Sequence, residues 1–112
     1  MILYISGPIS SRMDTYKAEF DAAESYLSTW KGHTVLNPAS HPQGLKYEDY
    51  MQIDAEMIKA SDGIVMLRGW RSSQGAKREL RVALKQGKKA FYGIESVPMI
   101  EQTEIRAGMP EI

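Results

Sequence analysis

The chain has 112 residues, 14 basic and 14 acidic side chains, and no cysteine. This length suits one domain with one core, and the balanced charge gives no reason to expect a nucleic-acid polymer or an anionic membrane as partner. The lack of cysteine excludes disulfides, thiolate nucleophiles and thiolate metal sites. The apolar run at the N-terminus has no basic flank and is too short for a signal peptide or membrane span. We therefore expect a soluble cytoplasmic protein.

Short apolar runs alternate with amphipathic segments along most of the chain. Residues 2–6 form an apolar run that ends in a Gly-Pro pair, as expected of a strand buried on both faces of a parallel sheet. Asp14 or Thr15 can cap a first helix that ends at Gly32. Its inward row is predicted to comprise Tyr16, Phe20, Ala23, Leu27 and Trp30.

The remaining elements follow in the same order. Further strands are predicted over 34–36, 64–67 and 88–92, and further helices over 46–60 and about 75–86. The third helix carries Ala76, Leu80, Ala83 and Leu84 on one stripe. The alternation predicts an α/β domain: a small Rossmann-like (flavodoxin-like) parallel sheet of four or five strands, flanked by helices and joined by right-handed crossovers.

The periodic pattern weakens after Gly93. We therefore divide the chain into an α/β domain, 1–93, and a C-terminal tail, 94–112, that docks on the body or forms an oligomer contact. A sheet of four strands leaves one flank short of cover. We accordingly expect a homodimer.

Parallel strands place their carboxyl ends on one edge of a sheet, where ligands usually bind. Four distant parts of the sequence converge on this edge. The candidate substrate-binding residues there are Tyr4, Ser6, Gly7, Pro8, Ile9, Arg12, Asn37, Trp70, Ser73 and Gly75. Gly7 would allow close approach of a ligand, and the guanidinium of Arg12 suits phosphate, although a plain strand-to-helix turn is the alternative.

The start of the third helix has two readings. Ser73, with the amides of Gly75 and Ala76, could hold a phosphate, or Ser73 could be an ordinary N-cap. Trp70 and Tyr4 could likewise stack on a base or simply pack at the rim.

Two carboxylates are candidates for catalysis. Glu79 lies one turn into the third helix and could be a nucleophile toward an anomeric carbon, a general base, or the partner of Lys77 or Arg12 in a salt bridge. Asp54 lies on the inward side of the second helix, where a carboxylate needs a partner, such as backbone amides. Two carboxylates in different environments suit a division of acid and base roles. His33 and His41 lack ligand spacing with the carboxylates, so we expect no metal and no cofactor.

Together these residues resemble the nucleoside 2-deoxyribosyltransferase superfamily, in particular its small phage and bacterial branch. The resemblance covers roughly residues 1–92. The motifs are Tyr4-Ile5-Ser6-Gly7-Pro8-Ile9, Gly32-His33-Thr34-Val35-Leu36-Asn37-Pro38, Asp54 with Asp62, Ser73-x-Gly75-x-x-x-Glu79, and Ala83-x-x-x-Gly87-Lys88. Their order and spacing carry the resemblance more than any single motif.

The resemblance implies an enzyme that cleaves or exchanges the N-glycosidic bond of a 2′-deoxynucleoside or its 5′-monophosphate. It implies that Glu79 attacks C1′ and that Asp54 contacts the sugar hydroxyl or protonates the leaving base. The loops at Gly7 and Ser73 would hold the 5′ group, and Tyr4 would line the pocket. A non-catalytic nucleotide-binding module and a structural domain that pairs through its tail are the alternatives.

Overall fold

The computed structural model describes residues 1–100. The strands are β1 (Ile2–Ser6), β2 (Thr34–Leu36), β3 (Gly63–Met66) and β4 (Lys89–Tyr92), and the helices are α1 (Tyr16–Ser25), α2 (Tyr47–Ala60) and α3 (Gln74–Lys85). All strand pairs are parallel, in the order β2-β1-β3-β4. The predicted α/β class, with a Rossmann-like parallel sheet, is confirmed with four strands in the described part of the chain.

Each face of the sheet carries its own apolar cluster. Leu3 and Ile5 of β1 pack with Phe20 and Leu27 on the side of α1. Tyr4, the residue between them, packs on the opposite side with the residues of α2 and α3. Because side chains alternate across a strand, one short apolar run serves both clusters. This double cover explains why β1 and β3 read as continuous rather than alternating apolar runs.

Two residues predicted to face inward are exposed. Trp30 is 71% exposed, because α1 gives way to a π-helical turn, Tyr26–Trp30, whose wider spacing turns the end of the row toward solvent. Leu84 is 51% exposed, because the side of α3 that faces the sheet is the one that carries Ala76, Leu80 and Ala83, and Leu84 projects to one side of that row. The inward placement of Trp30 and Leu84 was therefore wrong.

The first residues of the predicted tail lie along the body. Val97 is buried in the cluster on the side of α1. The carbonyl of Pro98 lies 2.6 Å from Nε2 of His33, and the amide of Ile100 donates to the carbonyl of Lys31. The rest of the tail, 101–112, lies outside the described residues. Within 1–100, every helix is too short or too polar to cross a membrane.

Candidate active site

The strand order reverses between β1 and β3: the strand that follows β1 lies at one edge of the sheet, and the strand that follows β3 lies at the other. The chain leaves β1 toward α1 on one face and leaves β3 toward α3 on the other, which creates the crevice where open α/β folds bind ligands. The loops after the two strands touch closely: a Cβ on Gly7 would lie 3.0 Å from Cβ of Leu67. The small size of Gly7 is thus required by the packing of these two loops.

Glu79 lies next to β1, on the side of the sheet that α3 covers. The hydroxyl of Tyr4 donates to its Oε2 and the hydroxyl of Ser6 donates to its Oε1, each at 2.6 Å. Tyr4 and Ser6 are two residues apart on β1, so both side chains leave the strand on the same face. Ser73 caps α3 through its Oγ, which accepts from the amide of Ala76, and this start sets Glu79 one turn further along the helix.

The environment of Glu79 opposes its ionisation. Burial raises the pKa of this carboxyl, the hydrogen bonds from Ser6 and Tyr4 lower it, and the charge of Asp54 raises it again. Burial, followed by the charge of Glu79, holds the pKa of Tyr4 well above its usual value, so its hydroxyl remains a donor. The salt bridge of Glu79 with Lys77 or Arg12, considered from the sequence, does not form in the described structure: Arg12 pairs instead with Glu19, at 2.8 Å.

Asp54 has a partner that the sequence did not indicate. Nε2 of His41 donates to Oδ1 of Asp54 at 2.6 Å, and the imidazole stacks on the ring of Tyr50. Burial raises the pKa of Asp54, and the hydrogen bond from His41 lowers it. The two residues are 13 positions apart and on different elements, so their spacing carried no recognisable pattern. The available signal was a histidine in the loop that precedes α2, the helix that carries Asp54.

Tyr4, Ser6 and Glu79 thus form one hydrogen-bonded group. Tyr4 is fully buried, so its ring packs in the core instead of stacking at the rim. The charge of Asp54 raises the pKa of Tyr4 and of Glu79, whereas its own hydrogen bond is with His41. A half-buried acid with two hydroxyl donors, together with a second acid held by an imidazole, has the composition of an acid–base or nucleophilic site.

The other candidate residues lie elsewhere along the edge. The side chain of Asn37 donates to Asp21 and Glu24 and caps the turn that follows β2. Gly75 is exposed in the first turn of α3. Ile9 packs against the cluster on the side of α1. Pro8, Arg12 and Trp70 line a cavity between α1 and the loops that follow β1, β3 and β4.

The described residues contain no group of three His, Cys, Asp or Glu side chains placed to hold a metal ion.

Comparison with known proteins bears on the fold. The structure is similar to that of the 2-desoxiribosyltransferase from Leishmania mexicana, with a TM-score of 0.66 and 23% sequence identity over 81% of this chain. The chain spans 62% of the length of that protein. At this identity the likeness is one of fold.

A search of curated proteins gave no match. One family model matches residues 1–92, which is most of the chain and all four strands. The chain belongs to the family described as Domain of unknown function (DUF4406).

Proposed function

We propose that the protein cleaves or exchanges the N-glycosidic bond of a 2′-deoxynucleoside or its 5′-monophosphate, with Glu79 as the nucleophile. The observation that carries the proposal is the carboxylate of Glu79, oriented by the hydroxyls of Tyr4 and Ser6 at 2.6 Å each. The hydrogen bond of Glu79 with Ser6, the last residue of β1, supports a role toward a ligand bound at the carboxyl edge of the sheet. The fold shared with a 2-desoxiribosyltransferase agrees with this chemistry.

The two carboxyl groups divide the work in the proposed reaction. The carboxylate of Glu79 attacks C1′, the bond from C1′ to the base breaks, and the base takes the electron pair. Protonated Asp54 gives its proton to the departing base, for which its raised pKa is suited. Water or a second base then attacks C1′, its proton passes to Asp54, and Glu79 leaves as a carboxylate.

The hydroxyls of Tyr4 and Ser6 have a defined part in this scheme. Both donate to the ionised form of Glu79 and lower its pKa against the effect of burial. They therefore keep a larger fraction of the carboxylate ready to attack at neutral pH. Because each oxygen of Glu79 holds one hydroxyl, the carboxylate plane is also fixed before the substrate binds.

His41 is a positioning residue in the same scheme. Its ring N–H holds Oδ1 of Asp54, which leaves the second oxygen for the leaving base. Stacking on Tyr50 fixes the imidazole. The hydrogen bond also keeps the pKa of Asp54 from rising as far as burial alone would take it.

The test is release of free base. Wild-type protein is incubated with each common 2′-deoxynucleoside and its 5′-monophosphate, and the products are separated by chromatography. Glu79→Gln is expected to lower the rate at least about a thousandfold, since an uncharged carboxamide is a far weaker nucleophile than a carboxylate. Glu48→Gln, on the exposed side of α2, is the matched control and should leave the rate unchanged.

A second measurement follows the covalent step. A 2′-fluorinated nucleoside slows the breakdown of a glycosyl-enzyme, so the intact mass of the protein should rise by one sugar and the modified peptide should contain Glu79. Absence of base release from every substrate would contradict the proposal. If a nucleotide nevertheless raised the melting temperature, the non-catalytic nucleotide-binding module would replace it.

The proposal extends to assembly and ancestry. Assignment to the small phage and bacterial branch of the deoxyribosyltransferase superfamily is supported by the order of motifs over residues 1–92. A homo-oligomer and a separate role for the tail, 94–112, remain part of the proposal. Sedimentation of the full chain, and of a chain ending at Ile100, would test both.

A further inference from the structure

The helix α2 is the least covered of the three α-helices. Of its 14 residues only Ile58 is buried, whereas α3 buries three of its 12 residues. Large apolar side chains that are at least 36% exposed cluster at its start: Leu45, Tyr47, Met51 and Ile53. Single exposed apolar residues are normal, but a cluster of them on one helix indicates an interaction surface.

An open groove of about 440 Å³ runs along one flank of α2. It is lined by Gln52, Ile53, Glu56, Met57 and Ala60. The other flank faces α3, because the hydroxyl of Tyr47 accepts a hydrogen bond from Arg78 there. Ile53 follows Tyr47 by six residues and therefore lies about 120° around the helix. The groove thus opens away from α3, and we call it the α2 groove.

The outer flank of α3 carries an exposed leucine. Glu79 marks the inner flank of this helix, because it contacts Tyr4 and Ser6 of β1. Leu84 follows Glu79 by five residues and lies about 140° around the helix. It is 51% exposed. Arg81 precedes Leu84 by three residues and is its neighbour on the helix surface.

The two helices carry opposite charge. The sequence of α2 has four carboxylates and one lysine, whereas that of α3 has four basic residues and the single carboxylate of Glu79. Within residues 1–100, neither Glu56 nor Arg81 is in an ion pair. The face formed by α2 and α3, which we call the helical face, is therefore acidic on one half and basic on the other. Such a surface is complementary to a second copy of itself.

The charges select one arrangement of two copies. Both helices lead from the carboxyl end of one strand to the start of the next parallel strand, so α2 and α3 run in the same direction. A two-fold axis parallel to the helices places α2 of each copy over α3 of the other. An axis across the helices would place α2 on α2 and α3 on α3, with like charges opposed.

The first arrangement also brings matching side chains together. Glu56 and Arg81 each lie four residues before the last residue of their helix, so they are at about the same height. Both lie on the flanks that this axis superimposes. Leu84 follows Arg81 by one turn, at the height of the α2 groove. An exposed apolar knob thus faces an open apolar groove, with a guanidinium and a carboxylate beside them.

We propose that the helical face binds a second copy of this chain about the two-fold axis parallel to α2 and α3. Leu84 of each protomer enters the α2 groove of the other, and Arg81 pairs with the partner's Glu56. The tail is not the occupant, since Val97 packs on the opposite face of the sheet, in the cluster on the side of α1. The expected homodimer thereby receives a surface and an axis, and the assignment does not rest on the catalytic proposal.

Sedimentation of the full chain over a range of concentrations tests the pairing. We expect a monomer–dimer equilibrium with a dissociation constant in the micromolar range, as is usual for interfaces of modest size. Leu84→Ala should weaken the dimer at least about tenfold, because a leucine leaves each of the two symmetric contacts. Met13→Ala removes a side chain that is 66% exposed and lies before α1, and it should leave the equilibrium unchanged.

A charge exchange tests the axis. Glu56→Arg alone and Arg81→Glu alone should each weaken the dimer at least about tenfold, because like charges then meet in both contacts. An equimolar mixture of the two variants should recover the wild-type dimer, since every contact again joins opposite charges. Asp14→Arg makes the same change of charge at an exposed position before α1 and should have no effect. Circular dichroism confirms that each variant is folded.

Three results would overturn the proposal. The first is a monomer at every concentration up to about 1 mM. The second is a dimer that Leu84→Ala leaves intact, which would place the contact on another surface. The third is a mixture of Glu56→Arg and Arg81→Glu that dimerises no better than either variant alone. Base release is measured separately, so its failure would leave these results unaffected.

Discussion

Removal of the Tyr4 hydroxyl tests the environment of Glu79 directly. Tyr4→Phe keeps the fully buried ring and deletes the donor that lies 2.6 Å from Oε2 of Glu79. A hydrogen bond to a charged group contributes about 1.5–3 kcal/mol. We therefore expect the free energy of unfolding to fall by about that amount at neutral pH. For a chain of this size, the melting temperature should fall by roughly 6–12 °C.

The loss should depend on pH with a defined sign. The Tyr4 hydrogen bond lowers the pKa of folded Glu79, so its contribution is present while Glu79 is ionised and is lost as the pH falls through the pKa of the folded carboxyl. The difference between wild type and Tyr4→Phe should thus be larger at about pH 8 than at about pH 4. Without this hydrogen bond the pKa of Glu79 rises, so the acid limb of the pH profile of kcat/KM should move to higher pH in Tyr4→Phe.

Urea unfolding at both pH values measures the stability difference, and the pH dependence of base release measures the kinetic one. Tyr92→Phe is the matched control, because the Tyr92 hydroxyl is at an exposed position and makes no hydrogen bond within residues 1–100. It should change stability by less than about 0.5 kcal/mol. If Tyr4→Phe lowers the free energy of unfolding by equally little, or by the same amount at both pH values, its hydroxyl does not stabilise the ionised form of Glu79.

Three further substitutions test other parts of the structure. Gly63→Ala should lower the free energy of unfolding by about 1–3 kcal/mol, since its Cβ would lie 3.0 Å from a ring carbon of Phe91 in β4. The control is Gly75→Ala, whose Cβ meets no close neighbour and which should leave the free energy of urea unfolding unchanged. Asn37→Asp should lower the free energy of unfolding by about 2 kcal/mol at neutral pH, because it sets a third carboxylate beside those of Asp21 and Glu24. His41→Asn should raise the pKa of Asp54 and move the alkaline limb of base release to higher pH.

Each of these has its own contradicting result. Equal losses for Gly63→Ala and Gly75→Ala would mean that the close approach of β3 and β4 is not limiting. An unchanged free energy of unfolding for Asn37→Asp would mean that the amide of Asn37 does not stabilise the two carboxylates. An unmoved alkaline limb in His41→Asn would separate Asp54 from proton transfer to the base.

Much of the fold followed from local sequence. The predicted bounds of β1 and β2 coincide with the observed ones, and those of α2 and α3 differ by one residue, because buried strands and capped helices carry strong local signals. The predicted inward row of α1 was wrong at Trp30, since the apolar pattern of the sequence shows no break where the helix changes to π-helical spacing.

The sequence by itself determined the order of strands and helices, and it placed Tyr4 and Ser6 on one face of β1, because both properties depend on neighbouring residues. Only the tertiary structure decided which side chains meet. Glu79 and Tyr4 are 75 residues apart, and their contact depends on β1 lying next to β3 with α3 packed above both. The pairing of His41 with Asp54, and that of Arg12 with Glu19 rather than with Glu79, likewise depend on packing between elements, for which local sequence carries no signal.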